Sequence, residues 1–166
     1  MMDHTVPLNT SHKKSDFSCG QPMLDKYLHT QAKQDVKRKL SACFILSDDG
    51  GYVKGYNTLS SAAISKEFLP DEIKKKLPPS YGDLPTTLLG RLAVDVKHQR
   101  QRLGEFLLLD ALKRCLDSSE RIGSMAIIVD PIDDSAAKFY RKFGFIELPD
   151  SGKMFLPMDT VSELFS

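Results

Sequence analysis

One mixed, mostly antiparallel sheet flanked by helices, an α/β (α+β) sandwich, is the fold class this sequence predicts. Two long apolar runs, Leu84–Asp95 and Ile122–Asp130, read as strands buried on both faces. Each is followed within a few residues by a helical pattern, Leu103–Leu116 and Asp133–Phe143. Upstream, Ala42–Ser47 and Tyr52–Ala62 flank Asp48-Asp49-Gly50-Gly51, the composition of a hairpin connection. At 166 residues the chain is long enough for a sizeable core, and residues 1–166 are expected to form a single domain.

In chain order, Thr5–Leu8 is a short opening strand. A helix over Met23–Lys33 follows, in which Leu24, Tyr27, Leu28 and Gln31 share a face, with a second short helix to Lys39. After the hairpin, Pro70–Lys76 is a short helix with proline at its start, and Pro78–Asp83 is a loop. The Leu84–Asp95 strand, the Leu103–Leu116 helix and the Ile122–Asp130 strand come next. Asp133 is an N-cap for the helix that ends at Phe143, Asp134 suits its positive end, and Gly144 sits at C′. Ala136, Phe139, Tyr140 and Phe143 fall at i, i+3, i+4 and i+7, an apolar stripe. Closing strands are expected around Phe145–Leu148 and Lys153–Asp159. No repeat, low-complexity tract or linker interrupts the pattern.

Composition narrows the function classes. The chain is 41% hydrophobic and 27% charged, ordinary for a globular protein. No apolar run approaches the ~20 residues of a membrane span, and the N-terminus has no signal-peptide pattern, so a cytoplasmic protein is expected. Cys19, Cys43 and Cys115 give an odd count without metal-ligand spacing, and are read as reduced structural thiols. His4, His12, His29 and His98 are scattered, so no metal site is expected, and His98 is read as an exposed spacer. Net charge is only +1, but Lys33–Lys39, Lys74–Lys76, Lys97–Arg102 and Lys138/Arg141/Lys142 are basic. Each run alone reads as a solvated face; several on one side would be an electrostatic footprint for RNA.

The segment from Leu88 to Leu109 carries the chemistry. Leu89-Gly90-Arg91-Leu92-Ala93-Val94 is strand, Lys97 to Arg102 a cationic turn, and Leu103-Gly104-Glu105-Phe106-Leu107 the opening of an apolar helix. A turn that opens a helix offers unpaired backbone N–H groups and a positive dipole end, the requirements of a phosphate site. This strand, Gln99-x-x-x-x-Gly104, helix sequence resembles the acyl-CoA pyrophosphate loop of the GNAT superfamily of N-acetyltransferases, with Arg102 at the place of the central glycine. Arginine does not take positive φ freely. Either Arg102 holds an ordinary helical-turn conformation and reaches a phosphate, or the loop binds the cofactor poorly. Ala136-Ala137-Lys138-Phe139-Tyr140-Arg141-Lys142-Phe143-Gly144-Phe145 resembles the family's A-x-x-F-Y-x-x-x-G-F helix at every specified position. Phe17-Ser18-Cys19-Gly20-Gln21-Pro22-Met23-Leu24-Asp25-Lys26-Tyr27-Leu28 is similar to the FxCGxxxLDxYL opening of the TacT-like acetyltransferase toxins of toxin–antitoxin pairs. Gly55–Ser60 and Leu89–Val94 resemble that branch's third and fourth strands.

The resemblance implies a GNAT fold, acetyl-CoA as acyl donor and a primary amine as acceptor, foremost the α-amino group of aminoacyl-tRNA. It places Leu92, Ala93 and Val94 beside the pantetheine arm, with an oxyanion donor near Val94. Gln99, Arg100, Gln101, Arg102, Leu103, Gly104 and Glu105 fall on the pyrophosphate loop, and Ser135, Ala136 and Phe139 near the cofactor. Tyr140 stands at the position of the general acid that protonates the leaving thiolate, which a hydroxyl of reference pKa ~10 suits; from helical pattern alone it reads as core. Arg91, Lys33, Lys37 and Arg38 are the acceptor-side candidates, with an exposed ion pair the competing reading for Arg91. Asp95 and Asp130 are candidate bases, or carboxylates capping turns. A ribbon–helix–helix antitoxin and a second copy of the chain are the protein partners implied. A housekeeping acetyltransferase of a small amine or protein N-terminus, and a binding module with a weakened cofactor loop, are the alternatives.

Overall fold

The structure is a computed structural model and describes residues 4–166. Seven strands run in the order β1-β2-β3-β4-β5-β7-β6: β1 (Val6–Pro7), β2 (Ala42–Ser47), β3 (Val53–Ser65), β4 (Asp83–Val94), β5 (Ala126–Val129), β6 (Ile146–Leu148) and β7 (Lys153–Pro157). β4 and β5 are parallel, whereas β1–β2, β2–β3, β5–β7 and β6–β7 are antiparallel, so the sheet is mixed as expected. Six helices accompany it among the described residues: α1 (Pro22–Thr30), α2 (Ala32–Lys37), α3 (Asp71–Lys74), α4 (Leu103–Ser119), α5 (Asp134–Lys142) and α6 (Met158–Leu164). No helix among the described residues is long and apolar enough to cross a membrane.

The chain divides into two compact units. The first comprises the residues up to Ser60 with Leu89–Ala111. Its core on one face of the sheet joins Phe17, Leu24, Tyr27 and Leu28 to Ile45, Tyr56 and Ala93, and on the other joins Leu46 to Leu103 and Leu107. Alternation along β4 explains the division: Ala93 faces the α1 side, whereas Leu92 and Val94 face α4. α4 lies very close to the sheet at Gly55, where an added Cβ would sit 2.7 Å from Leu107 Cδ1 and 2.9 Å from the Ala93 carbonyl oxygen. α2 ends in paired bonds, Lys39 N–H to the Val36 carbonyl and Leu40 N–H to the Asp35 carbonyl, with Lys39 at φ 61°.

The second unit comprises Ser61–Leu88 and Leu112–Ser166. Ile64, Leu84, Ile128, Leu148 and Phe155 form its centre. α5 is delimited as its sequence requires: Asp133 accepts from Ala136 N–H at 2.8 Å, and Gly144 takes φ 98°. Gly144 N–H then bonds the Arg141 carbonyl and Phe145 N–H the Tyr140 carbonyl.

Several boundaries differ from expectation: α1 stops at Thr30 and α2 starts at Ala32, where one helix to Lys33 is expected, β3 runs on to Ser65 and α4 to Ser119. β5 begins at Ala126, not Ile122, because Arg121 and Ile122 bond back to the Ser118 carbonyl in the turn that ends α4, leaving Ile122 75% exposed. The chain's last strand stops at Pro157, which lacks an N–H for the ladder, and Met158–Leu164 coils into α6 over the buried Val161.

Candidate active site

β4 delivers the chain to the cationic turn in the first unit. Asp95, only 4% exposed, closes the strand: its N–H bonds the Lys54 carbonyl at 2.8 Å, and its carboxylate accepts from Lys97 N–H at 2.8 Å and Ser18 N–H at 3.1 Å. Of the two readings of Asp95, the structure shows the turn cap. A 3-10 turn over Val96–His98 follows. The Gln99 side-chain amide then reaches back to donate to the carbonyls of Val94 and Cys19, each at 3.0 Å. Beyond it, Arg100 and Arg102 take φ values of 70° and 59°, and α4 starts at Leu103. The ordinary helical-turn conformation, one of the two readings open for Arg102, is thus not the one it takes. It stands in the left-handed region that glycine enters without strain, so the backbone shape survives the exchange of glycine for arginine.

Phe106 N–H makes a helical bond, to the Arg102 carbonyl, at 3.1 Å. Arg100, Gln101 and Arg102 lie exposed around the opening turn of α4. Leu103 turns its side chain into the core, so only its backbone faces the turn. Of β4, the ladder to β5 registers Thr87↔Ile127 and Leu88↔Ile128 alone; past Leu88 no pairing with β5 is recorded among the described residues.

On the α1 face, Arg91 forms no ion pair among the described residues and rests on an aromatic ring instead. Its guanidinium lies 3.4 Å from the centre of the Tyr27 ring and donates to Thr58 Oγ1 at 3.5 Å. Tyr27 stacks in turn on Tyr56 and donates its hydroxyl to Asp35 at 2.9 Å; burial pushes its pKa up to about 12. Lys33 and Lys37 project from α2 into a cleft of ≈ 360 Å³ that Lys14 and His12 also line, over a floor of Leu8 and Val36. Arg38 caps the end of α2 and is exposed outside that cleft.

The second unit holds α5. Tyr140 is 8% exposed, its ring 5.4 Å from Phe139 and 5.3 Å from Phe145, and burial pushes its pKa up to about 12. Its hydroxyl takes no hydrogen-bond partner among the described residues. Phe139 is half-buried and packs edge-on against both Tyr140 and Phe143. Ser135 is exposed in the first turn, and the Ala136 N–H is taken by Asp133. Asp130, the other candidate base, pairs with Lys153 at 2.8 Å. No cluster of metal-ligating side chains occurs among the described residues.

A family model described as an acetyltransferase (GNAT) domain matches residues 39–147. The chain belongs to the GNAT acetyltransferase family. Among curated proteins, this GNAT chain is 37% identical over 131 residues to a tRNA-acetylating toxin of Mycobacterium tuberculosis, covering 79% of this chain and 76% of the toxin. Among solved structures it superposes on a Tyr-to-Phe mutant of KacT with a TM-score of 0.92, at 27% identity over 99% of this chain and 100% of that one. It superposes equally completely on AtaT complexed with acetyl-methionyl-tRNAfMet, with a TM-score of 0.91 at 27% identity. AtaTR bound with acetyl-CoA gives 0.85 at 27% identity, over 99% of this chain and 98% of that chain. The fold read from the sequence is thus the family's fold.

Sequence reasoning missed three groups that shape the surroundings of β4 and the cationic turn. Tyr27 was visible only as a core position, yet it is the platform for Arg91. Asn57 is fully buried, with its amide nitrogen donating to the Leu107 carbonyl at 3.1 Å, which ties β3 to α4. The carbonyls of Ser18 and Cys19, bonded by Val96 N–H and Gln99, carry no side-chain signal at all.

Proposed function

We propose that this enzyme transfers the acetyl group of acetyl-CoA to the α-amino group of an aminoacyl-tRNA, in the cytoplasm where charged tRNA is used. The observation that carries the choice of acceptor is the 37% identity to a tRNA-acetylating toxin over 79% of the chain. The whole chain, 1–166, is taken as one catalytic domain.

The residues present fit acetyl-CoA. Arg100 and Arg102 keep the loop in a glycine-like path while adding two full charges, and Lys97 adds a third. The first-turn amides of Leu103, Gly104 and Glu105, with those of Gln101 and Arg102, hold the pyrophosphate at the positive end of α4. Because the Gln99 amide is spent on Val94 and Cys19, its part is to shape the loop. The backbone of Leu92, Ala93 and Val94 takes the pantetheine arm along the stretch of β4 that β5 leaves unpaired, with Val94 N–H near the reacting carbonyl. The family resemblance also assigns Ser135, Ala136 and Phe139 of α5 to the cofactor.

Acetyl-CoA supplies the acyl group activated as a thioester. The amine lone pair forms the new C–N bond as the C–S bond breaks, and the sulfur departs as a thiolate. Tyr140 Oη holds a proton at every physiological pH, being pushed up to about 12, and delivers it to that thiolate. The tyrosinate recovers a proton from the acylated nitrogen, so the balance closes. The α-amino group of an aminoacyl ester is largely neutral near neutral pH, and no carboxylate base is needed; both candidates, Asp95 and Asp130, are occupied elsewhere.

Lys33 and Lys37, with Lys14 across their cleft, and Arg38 nearby, attract the phosphates of the acceptor, while Arg91 on Tyr27 faces the α1 side of the sheet. A ribbon–helix–helix antitoxin and a second copy of the chain are its protein partners. The alternative of a binding module with a weakened loop drew on Arg102 alone, and its left-handed backbone favours the enzyme.

Radiolabelled acetyl-CoA offered with a charged tRNA pool, free amino acids and an N-terminal peptide tests this. Label is expected in the aminoacyl-tRNA fraction, falling as salt rises. Equal labelling of free amino acids or peptide, without salt dependence, overturns the tRNA acceptor.

A further inference from the structure

Residues Phe17–Gly20 have every backbone group from the Phe17 N–H to the Cys19 carbonyl engaged, and in two directions. Toward α1, the Phe17 carbonyl meets His29 Nε2 at 3.0 Å, and Cys19 N–H donates to Asp25 Oδ1 at 2.8 Å. The Phe17 ring is buried edge-on against Tyr56. Toward the cationic turn, Ser18 N–H donates to Asp95 at 3.1 Å, Val96 N–H to the Ser18 carbonyl at 2.8 Å, and Gln99 Nε2 to the Cys19 carbonyl at 3.0 Å. Gly20 at φ 94° then lets the chain turn into α1, with an added Cβ only 4.0 Å from Val96 Cγ1. The Phe-x-Cys-Gly-x-x-x-Leu-Asp pattern thus has a structural meaning: its aspartate closes the segment on one side, and the turn closes it on the other.

We infer that Phe17–Gly20 is a strap that holds the cofactor turn in its binding shape before the ligand arrives, with Gln99 and Asp95 as the positioning residues that fasten it. This rests on the reading that the turn binds acetyl-CoA. Gln99 is the decisive fastener, because one amide bridges the last carbonyl of β4 and the strap. That bridge ends at the residue directly before the left-handed Arg100, three positions before Arg102. Without it, the backbone from Val96 to Arg102 is held near its start, by the carboxylate of Asp95, by the Val96 N–H bond to the Ser18 carbonyl and by the His98 N–H bond to the Asp95 carbonyl, and the strained φ values at Arg100 and Arg102 have less to enforce them. A preorganised loop spares the ligand the ordering cost, so loosening it weakens ground-state binding and leaves the chemical step in place.

Gln99→Met keeps the length of this exposed side chain and removes both donors, so folding is not at stake. In the protein without ligand, amide hydrogen exchange is expected to speed up in peptides covering 15–20 and 95–100. The KM for acetyl-CoA is expected to rise about fivefold to tenfold, as for the loss of two hydrogen bonds, with kcat at saturation moving less than about threefold. Asp95→Asn, which weakens the same attachment, is expected to add less than its own effect when combined with Gln99→Met. A raised KM with unchanged exchange in the ligand-free protein overturns the inference, since Gln99 would then act by touching the cofactor. Faster exchange with an unchanged KM overturns it too, leaving the strap as structure alone. Failure of the underlying reading shows separately, as wild-type protein that binds no acetyl-CoA.

Discussion

Arg102 separates a backbone effect from a charge effect, and two substitutions read them apart. At φ 59° an L-residue bears a left-handed strain of about 1–2 kcal/mol. Arg102→Gly removes that strain, while the freer unfolded chain of glycine takes back about 0.5–1 kcal/mol. The folded protein should therefore shift by no more than about 1 kcal/mol, a Tm change within about 4 °C, and upward if at all. Arg102→Ala keeps the strain and so should melt below Arg102→Gly. Both variants lose the same exposed cation, whose grip on a phosphate is worth a ~2- to 5-fold change in affinity at low salt. Calorimetric titration with acetyl-CoA at low and raised salt is the assay. Both variants should bind more weakly than wild type by that factor, and the difference should shrink as salt screens the charge. Tighter binding by Arg102→Gly than by wild type would refute the reasoning, because the side chain would then be an obstruction on a path that glycine serves better.

Other outcomes follow from the same coordinates. Tyr140→Phe should lower turnover ~100- to 10,000-fold with unchanged Tm, since the hydroxyl forms no hydrogen bond within the described chain; near-normal turnover with chemistry rate-limiting would make Tyr140 a core residue. The folded pKa of Tyr140, about 12, lies above the ordinary value of 10, so the fold favours its protonated form. That contribution to stability is complete below pH ~10 and is lost as pH rises from there toward 12, and the pH–rate profile should show no alkaline limb from Tyr140 below pH ~10. A limb near neutrality that Tyr140→Phe abolishes would contradict this. Gly55→Ala should destabilise by ~1–3 kcal/mol in urea unfolding, because a Cβ 2.9 Å from the Ala93 carbonyl oxygen meets backbone that cannot swing away. A change under about 0.5 kcal/mol would show that α4 can lift from the sheet at little cost.

The sequence announced its elements most clearly where local physics decides them. Asp133 and Gly144 delimit α5 because a cap and a left-handed glycine act over three or four residues. Expectation failed where a distant part of the chain decides. Ile122 looks like strand, yet the end of α4 recruits its N–H. Two readings of Arg102 stay open in the sequence because arginine's preferred backbone says nothing of Gln99, whose two bonds help define the turn. Arg91 reads as an acceptor-side cation or an exposed ion-pair partner because nothing in an alternating strand reveals an aromatic ring from α1 lying 3.4 Å away. Side-chain pattern reports faces; it is silent on carbonyls, and the strap is built from carbonyls.

Those attachments also set an order of assembly. Ser18 and Asp95 are 77 positions apart, and Cys19 and Gln99 are 80 apart. Closing a chain of that length from scratch costs about 4 kcal/mol in entropy, more than a few exposed hydrogen bonds at about 1 kcal/mol each return once their own residues are ordered. The strap can close only after the β2–β3 hairpin and β4 have brought the two ends together. The turn that would grip acetyl-CoA is thus among the last parts of the first unit to take shape. A growing chain released only as far as β4 has the strand but not the turn, so the grip waits until α4 and everything before it is in place.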